Sequence, residues 1–506
     1  MADAAAGSAE RAGDTAPLLM VGISGMRGVL GRGLTPGVLA DYAGVLGHWL
    51  GEHRPGHAQA DRPRVVVGRD GRAGSEVVAR AVLAGLTGAG CDVFDLGVAM
   101  TPTVGVMVDA EDAAGGVVIT ASHNPQPWNG VKCLVRTVAG THQEVAGSAA
   151  CAPKADDAAE LVRRFEAGES KAVAWDQVGR VINEPIGAEV HLGRVMDRLG
   201  DRLVEGIRQN GYRVVLDSAN ASGAEAGRRL LDALDCRVLH LGDELHGVFG
   251  REAEPTAANL EHLSKSVREY RGAVGFAQDP DGDRLAMIDE TGKYIGEEYT
   301  LALAAESVLR GLAEDGLLAA HTDFAIATNL STSRMIDDVA SSYGVRVQRT
   351  AVGEANVVEA MKPHARSFGG EGNGGVIWPD ITYVRDSLGA MALVLALMAR
   401  TGKSLSELVR AIDEASPSGL GYAIVKRKVG LKAKADAVPA LDALAQKYGS
   451  ERVDRQDGVR IDFDRKGAWL HVRPSNTEPI LRLIAEAGSE VEAESLLDEA
   501  GSVVGG

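Results

Sequence analysis

Arg64-Val-Val-Val-Gly68, a loop, an amphipathic stretch over 75–87 and then Asp92-Val-Phe-Asp-Leu-Gly97 form the passage on which the fold turns. Three consecutive valines with no polar alternation read as a strand covered on both faces. Helical periodicity and a second apolar strand complete a βαβ unit of about 30 residues. The pattern returns as Arg213-Val-Val-Leu-Asp217, a Ser/Gly loop, a helix over 226–234 and Arg237-Val-Leu-His-Leu-Gly242. It returns again as Asp323-Phe-Ala-Ile-Ala-Thr328, a Ser/Thr loop, a helix over 334–343 and Val345-Arg-Val-Gln348. Three such units predict α/β domains with parallel sheets. The C-terminal stretch departs from the pattern. Strands at Val459–Phe463, 468–472 and 481–484 and a helix over 491–504 read as an α+β module. Boundaries fall near 185, 296 and 417, giving units over 18–185, 186–296, 297–417 and 418–506 after a disordered tail over 1–17.

Composition narrows the function. The 506 residues are 45% apolar and 24% charged, an ordinary globular balance. Gly numbers 63, where average usage would give roughly 35; tight loops bring backbone N–H groups close to ligands. Aromatics at 4% and a net charge of −17 argue against nucleic-acid or anionic-membrane partners. Cys91, Cys133, Cys151 and Cys236 form no C-x-x-C pair, so reduced cytosolic thiols are expected. The longest strongly apolar run, 390–399, ends at Arg400 and is too short to span a bilayer. The N-terminus lacks an apolar signal region, so a cytoplasmic protein is expected; a small-molecule partner and a monomer or homodimer are separate expectations.

Four loops could carry chemistry. Thr120-Ala-Ser-His-Asn-Pro125 follows the strand Gly116-Val-Val-Ile119, where ligands gather in α/β proteins. The hydrolase elbow G-x-S-x-G is absent, and the adjacent Ser122 and His123 side chains are expected to diverge. A turn serine is the plain alternative. Asp279-Pro-Asp-Gly-Asp-Arg284 sets three carboxylates at alternate positions on a tight turn. They repel each other unless a hard divalent cation compensates, and three carboxylates with few waters suit Mg²⁺. Glu290 falls where an EF-hand has its twelfth ligand, but Arg284 stands where that loop needs Gly and the flanks read as strands. A solvated acidic turn is the alternative.

Gly369-Gly-Glu-Gly-Asn-Gly-Gly375 contains a formal G-x-G-x-x-G, yet Val376-Ile-Trp-Pro379 does not start a helix. Glu371 could accept hydrogen bonds from the hydroxyls of a small polar ligand; a bare glycine loop is the alternative. Arg473-Pro-Ser-Asn-Thr-Glu-Pro479 offers a guanidinium, two hydroxyls and backbone N–H groups, an anion nest or a capped turn. Ser24-Gly-Met-Arg-Gly28 adds a further arginine between glycines.

In order and spacing, these loops together resemble the α-D-phosphohexomutase family over about 18–490. Ile23-Ser-Gly-Met-Arg27 and Trp128-Asn-Gly130 look most like its phosphoglucosamine mutase type. The resemblance implies four domains around one central cleft, the first three built on related α/β units. It implies a phosphoserine at Ser122, with His123 beside it. Mg²⁺ would be held by Asp279, Asp281, Asp283 and a phosphate oxygen on Ser122. Arg27, Lys132 and Arg284 would surround the transferring phosphoryl group. Glu371 and Asn373 would contact the sugar, and Arg473, Ser475, Asn476 and Thr477 the distal phosphate. The implied reaction interconverts hexose 6- and 1-phosphates through a hexose 1,6-bisphosphate that also serves as primer. Glucosamine phosphate is the favoured substrate, with mannose or glucose phosphate next. Some relatives carry His where this chain has Gly375, many carry Ser at Asn373, and a common Gly is replaced by Asn476. Two rival readings remain at this point: an aspartate-phosphorylating mutase, which phosphate on Asp279 would reveal, and a sugar-phosphate binder without turnover.

Overall fold

Each βαβ passage continues in space into the same four-stranded arrangement. In the first, Asp92–Val98, Arg64–Arg69 and Gly115–Ile119 run parallel, and Trp128–Arg136 returns antiparallel to the last. Arg237–Leu241, Arg213–Asp217, Ala273–Gln278 and Leu285–Ile288 repeat that order. So do Arg346–Thr350, Phe324–Asn329, Arg366–Glu371 and Gly375–Ile377. The expected parallel sheets are therefore mixed. The links after the third strands are too short to hold a crossover helix, so the chain can only turn back as a hairpin. The serine loop, the acidic loop and the glycine loop are the three hairpin links, at one and the same topological position.

This computed structural model describes residues 19–22, 25–53, 62–136, 150–320, 323–364, 366–475 and 479–504. The tail expected over 1–17 lies outside them, as do Ser24, Asn476 and Thr477. The first sheet is extended by Leu19–Gly22 and Gly25–Leu30 at one edge and Val181–Asn183 at the other. The second and third sheets share a hydrophobic core that includes Leu216, Phe276, Ile326 and Phe368. Through that core runs the helix Ser387–Thr401, buried from Ser387 to Met398. Asp386 caps it, accepting from the backbone N–H groups of Leu388 and Gly389. No single helix among the described residues is long and apolar enough to cross a membrane.

The C-terminal unit is a separate antiparallel sheet ordered Ala423–Gly430, Ile480–Ala487, Ala468–Pro474, Val459–Phe463 and Arg452–Asp454. It encloses its own core, with Leu444, Ile461, Leu470, Leu483 and Leu497. The edge strand Ala423–Gly430 escaped the sequence reading because Lys426, Arg427 and Lys428 mask it, the kind of charge that guards an edge. All four cysteines are buried thiols outside any disulfide.

Candidate active site

Ser122 sits at the tip of the first hairpin with a left-handed backbone (φ 50°). Its N–H donates to Thr120 Oγ1 at 2.7 Å. Arg72, only 2% exposed, clamps the loop from beneath. Its guanidinium donates to Ser122 O and Trp128 O, both at 2.6 Å, and to Asp70 Oδ2 at 2.7 Å. The left-handed turn breaks the alternation of an extended chain and brings the Ser122 and His123 side chains together. Ser122 Oγ lies 3.3 Å from His123 Nδ1, so the expectation that they diverge is corrected. Burial, reinforced by Arg284 and Arg27, pushes the His123 imidazole down to about 3 and keeps it neutral.

The acidic hairpin link meets the serine directly: Ser122 Oγ donates to Asp279 Oδ2 at 3.2 Å. Asp279, Asp281 and Asp283 are fully buried, with ligand oxygens all within 4.8 Å of one another. Asp281 Oδ2 accepts from Thr101 Oγ1 and Lys132 Nζ, both at 2.7 Å. Asp283 Oδ2 accepts from Lys132 Nζ at 2.9 Å and Arg385 Nη2 at 2.7 Å. Burial and the other two carboxylates push Asp279 well above the usual carboxylate range. At Asp283 burial is outweighed by Arg385 and Lys132, which hold it well below that range. The other oxygens, Asp281 Oδ1 and Asp283 Oδ1, are buried with no hydrogen-bond partner. Two orphaned anionic oxygens in an all-oxygen cluster fit a hard divalent cation, and the triad could hold one.

Arg27, on the strand Gly25–Leu30, donates to Asn124 Oδ1 at 3.2 Å. Arg284 donates its backbone N–H to Asp279 Oδ1 at 3.0 Å. In the glycine link, Glu371 Oε1 accepts from Asn329 Nδ2 at 2.8 Å and Oε2 from Arg385 Nη1 at 2.6 Å. Asn373 Nδ2 approaches the same Oε2 at 3.4 Å. This link is sewn to the acidic hairpin by Leu285 N–H donating to Gly374 O at 3.0 Å. On the C-terminal unit, Arg473 Nε lies 3.0 Å from Asp457 Oδ2, and Ser475 N–H donates to Ile480 O. One cavity of about 800 Å³ is lined by Arg27, His123, Lys132, Arg284, Glu371, Asn373 and Arg473. The structure thus brings Arg27, His123, Lys132, Arg284, Glu371, Asn373 and Arg473 around one cavity, with Ser122 and the acidic triad in contact with His123 and Lys132. Ser475 follows Arg473 on the same strand end, and Glu290 lies elsewhere, bonded to Ser406.

Sequence reading passed over several partners. Arg385 ties Asp283, Glu371 and Glu354 together. Thr101 and Arg72 support the acidic and serine loops. Only Arg385 left a signal, a lone Arg-Asp pair immediately before an apolar helix.

The phosphoglucomutase/phosphomannomutase family matches in all four parts. Its alpha/beta/alpha domain I covers residues 19–146, domain II 196–292, domain III 297–415 and the C-terminal domain 424–500. The chain belongs to this family. It is a phosphohexomutase with the four-domain architecture of that family, and the resemblance drawn from its loops holds. A Methanopyrus kandleri protein named "Probable phosphoglucosamine mutase" is 34% identical, covering 94% of this chain and 96% of the relative. A Thermococcus kodakarensis "Phosphoglucomutase/phosphomannomutase" is also 34% identical, covering 95% and 97%. The solved structure of a phosphoglucomutase/phosphomannomutase family protein from Burkholderia thailandensis superposes with a TM-score of 0.74. It is 23% identical and covers 96% of this chain and 98% of its own.

Proposed function

We propose that this phosphohexomutase interconverts glucosamine 6-phosphate and glucosamine 1-phosphate through a phosphoserine at Ser122 and a bisphosphate intermediate. The observation that carries this reading is the 3.2 Å contact between Ser122 Oγ and an acidic triad with two buried oxygens that accept no hydrogen bond. Phosphoserine 122 transfers its PO₃ group to the free hydroxyl of the sugar phosphate, breaking the Oγ–P bond and forming a sugar O–P bond. The bisphosphate turns over in the cleft and returns its other phosphate to Ser122. In each transfer the proton of the attacking hydroxyl ends on the oxygen that gives up the phosphoryl group: from the sugar hydroxyl to Ser122 Oγ in the first, and from Ser122 Oγ to the departing sugar oxygen in the return. His123, uncharged and with Nδ1 3.3 Å from Oγ, orients the Ser122 hydroxyl. Arg27 and Arg284 offset charge on the equatorial oxygens. Mg²⁺ held by Asp279, Asp281 and Asp283 would supply Lewis-acid neutralisation of that same charge. Glu371 accepts sugar hydroxyls, with Asn373 beside it. Arg473, with Ser475, Asn476 and Thr477, grips the phosphate that is not reacting. That nest serves both orientations, because it meets a phosphate each time.

Hexose 1,6-bisphosphate primes the cycle by phosphorylating Ser122. The preference for glucosamine rests on the Ile23–Arg27 and Trp128–Gly130 spellings and on the naming of the Methanopyrus relative. The naming of the Thermococcus relative favours a second reading, mannose and glucose phosphates. Rates on the three hexose phosphates, measured with Mg²⁺ and primer, separate the two. Glucosamine phosphate is expected to be turned over fastest, and a faster rate on mannose or glucose phosphate reverses the assignment. Peptide mapping of the primed enzyme should find phosphate on Ser122; phosphate on Asp279 would overturn the route.

A further inference from the structure

Gly375 closes the glycine link, and its backbone is not among those with positive φ, unlike Gly370 (φ 153°) and Gly374 (φ 84°). No turn conformation therefore demands glycine there. The main obstacle is a neighbour: a Cβ at 375 would lie 2.3 Å from Arg385 Cδ and 3.1 Å from Arg385 Cγ, with Asn373 Oδ1 also at 3.1 Å. The two Arg385 atoms are carbons in the middle of the side chain, not its free end. The far end is fixed too, since Nη1 donates to Glu371 Oε2 at 2.6 Å and Nη2 to Asp283 Oδ2 at 2.7 Å. Nε lies 3.1 Å from Glu354 Oε2. The backbone of Arg385 is equally held, next to the cap residue Asp386 of the buried helix Ser387–Thr401.

We infer that Arg385 is a positioning residue, lodged in the space left empty by Gly375, that fixes the carboxylate of Glu371 at a set distance from the acidic triad. One planar guanidinium with parallel N–H groups can span two carboxylates at once; an ammonium cannot do so with the same geometry. The sugar-facing acceptor and the phosphoryl-facing triad belong to different hairpins; the Leu285 N–H to Gly374 O bond joins their main chains, and Arg385 is what joins the carboxylates themselves. With Arg385 between them, a sugar whose hydroxyls are taken by Glu371 presents its acceptor hydroxyl in register with Ser122. Glu354 adds a third carboxylate beside the guanidinium, 3.1 Å from Nε, which balances its charge.

This inference rests on the reading of Glu371 as the sugar contact, and the two are separable. Full-length protein is titrated calorimetrically with hexose 6-phosphate in the absence of Mg²⁺, so that binding is read without turnover. Glu371→Gln is expected to weaken affinity about tenfold or more, the loss of a charged hydrogen bond. Arg385→Lys, which keeps the charge and should keep the fold, is expected to weaken it by a similar factor. With Mg²⁺ present its kcat should fall about 10²-fold, the scale of a misplaced reactant. Gly375→Ala is expected to reproduce the affinity loss by displacing the Arg385 stem. In an Arg385→Ala background the same substitution should cost much less than it does alone, leaving only the 3.1 Å approach of its Cβ to Asn373 Oδ1. Normal affinity in Glu371→Gln sinks the sugar-contact reading. Weak binding in Glu371→Gln beside normal binding and kcat in Arg385→Lys overturns the positioning role alone. A fully active Gly375→Ala enzyme overturns the steric pairing of 375 with 385.

Discussion

At the scale of single residues, the site pairs a reactive hydroxyl with charges that cannot stay buried unaided. Ser122→Ala removes the only atom that can carry the phosphoryl group in the proposed route. It should lower turnover by about 10⁴-fold or more while leaving calorimetric affinity for the sugar phosphate largely intact. Asp281→Asn removes one of two orphaned anionic oxygens. The Mg²⁺ concentration giving half-maximal rate should then rise at least about tenfold. Arg72 is a different case, because its purpose is structural. With its guanidinium gone, Asp70 would be left buried beneath the serine loop with its charge uncompensated. Arg72→Ala should therefore cost about 3–5 kcal/mol of stability in urea denaturation, alongside any loss of rate.

At the scale of elements, His471 joins the C-terminal sheet to the third unit. Its Nδ1 is 2.8 Å from Ser331 Oγ and its Nε2 is 2.7 Å from Asp457 O, so a neutral ring satisfies both contacts. Burial pushes it down to about 4. An unfolded chain binds this proton near pH 6.5 and the folded one only near pH 4. Below pH 6.5 the unfolded state holds more protons, and stability falls as pH drops through that window, by up to about 3 kcal/mol. Amide exchange in Ala468–Pro474 should accelerate between pH 6.5 and 4, and His471→Gln should remove that part of the acceleration. The elements themselves were largely legible. Runs such as Val65-Val-Val67 declare a covered strand, and Asp279-Pro-Asp-Gly-Asp283 concentrates its chemistry within five positions. Arg385 and Thr101 were not legible, because their partners Asp283 and Asp281 lie 102 and 180 positions away and only folding brings them together. The Ser122–His123 pair was misread because one left-handed φ reverses the side-chain directions that an extended chain would give.

At the scale of the molecule, three hairpin links from one topological position meet in a cleft, and a fourth unit with its own core stands over it. That unit meets the third through polar contacts that include Arg334 N–H to Glu486 Oε1 at 3.1 Å, Val352 N–H to Asp457 Oδ2 at 3.1 Å, Tyr422 OH to Asp338 Oδ2 at 2.8 Å and the buried Arg460 to Leu330 O. In the proposed route, a phosphate gripped by Arg473 would draw this unit down over the cleft and exclude water from a phosphoserine at 122. Arg473→Ala should accordingly lower kcat more than it raises KM, with kcat/KM down about 10²-fold. Unchanged kinetics in that variant would sink the distal nest. The sequence alone indicated four units and their order; how the last one seats depends on contacts such as Ser331 with His471, 140 positions apart.

The burial of all four thiols has a practical consequence for testing the proposed closure. Burial pushes Cys133 and Cys151 up to about 11 and Cys236 up to about 12, so little thiolate is available at neutral pH. Maleimide dyes will therefore pass over the native chain and attach where a thiol is engineered. Val491→Cys on the C-terminal unit and Trp175→Cys on the first unit replace side chains 80% and 89% exposed. A donor and acceptor at those two positions would report single molecules opening and shutting in real time, with the wild-type cysteines left in place.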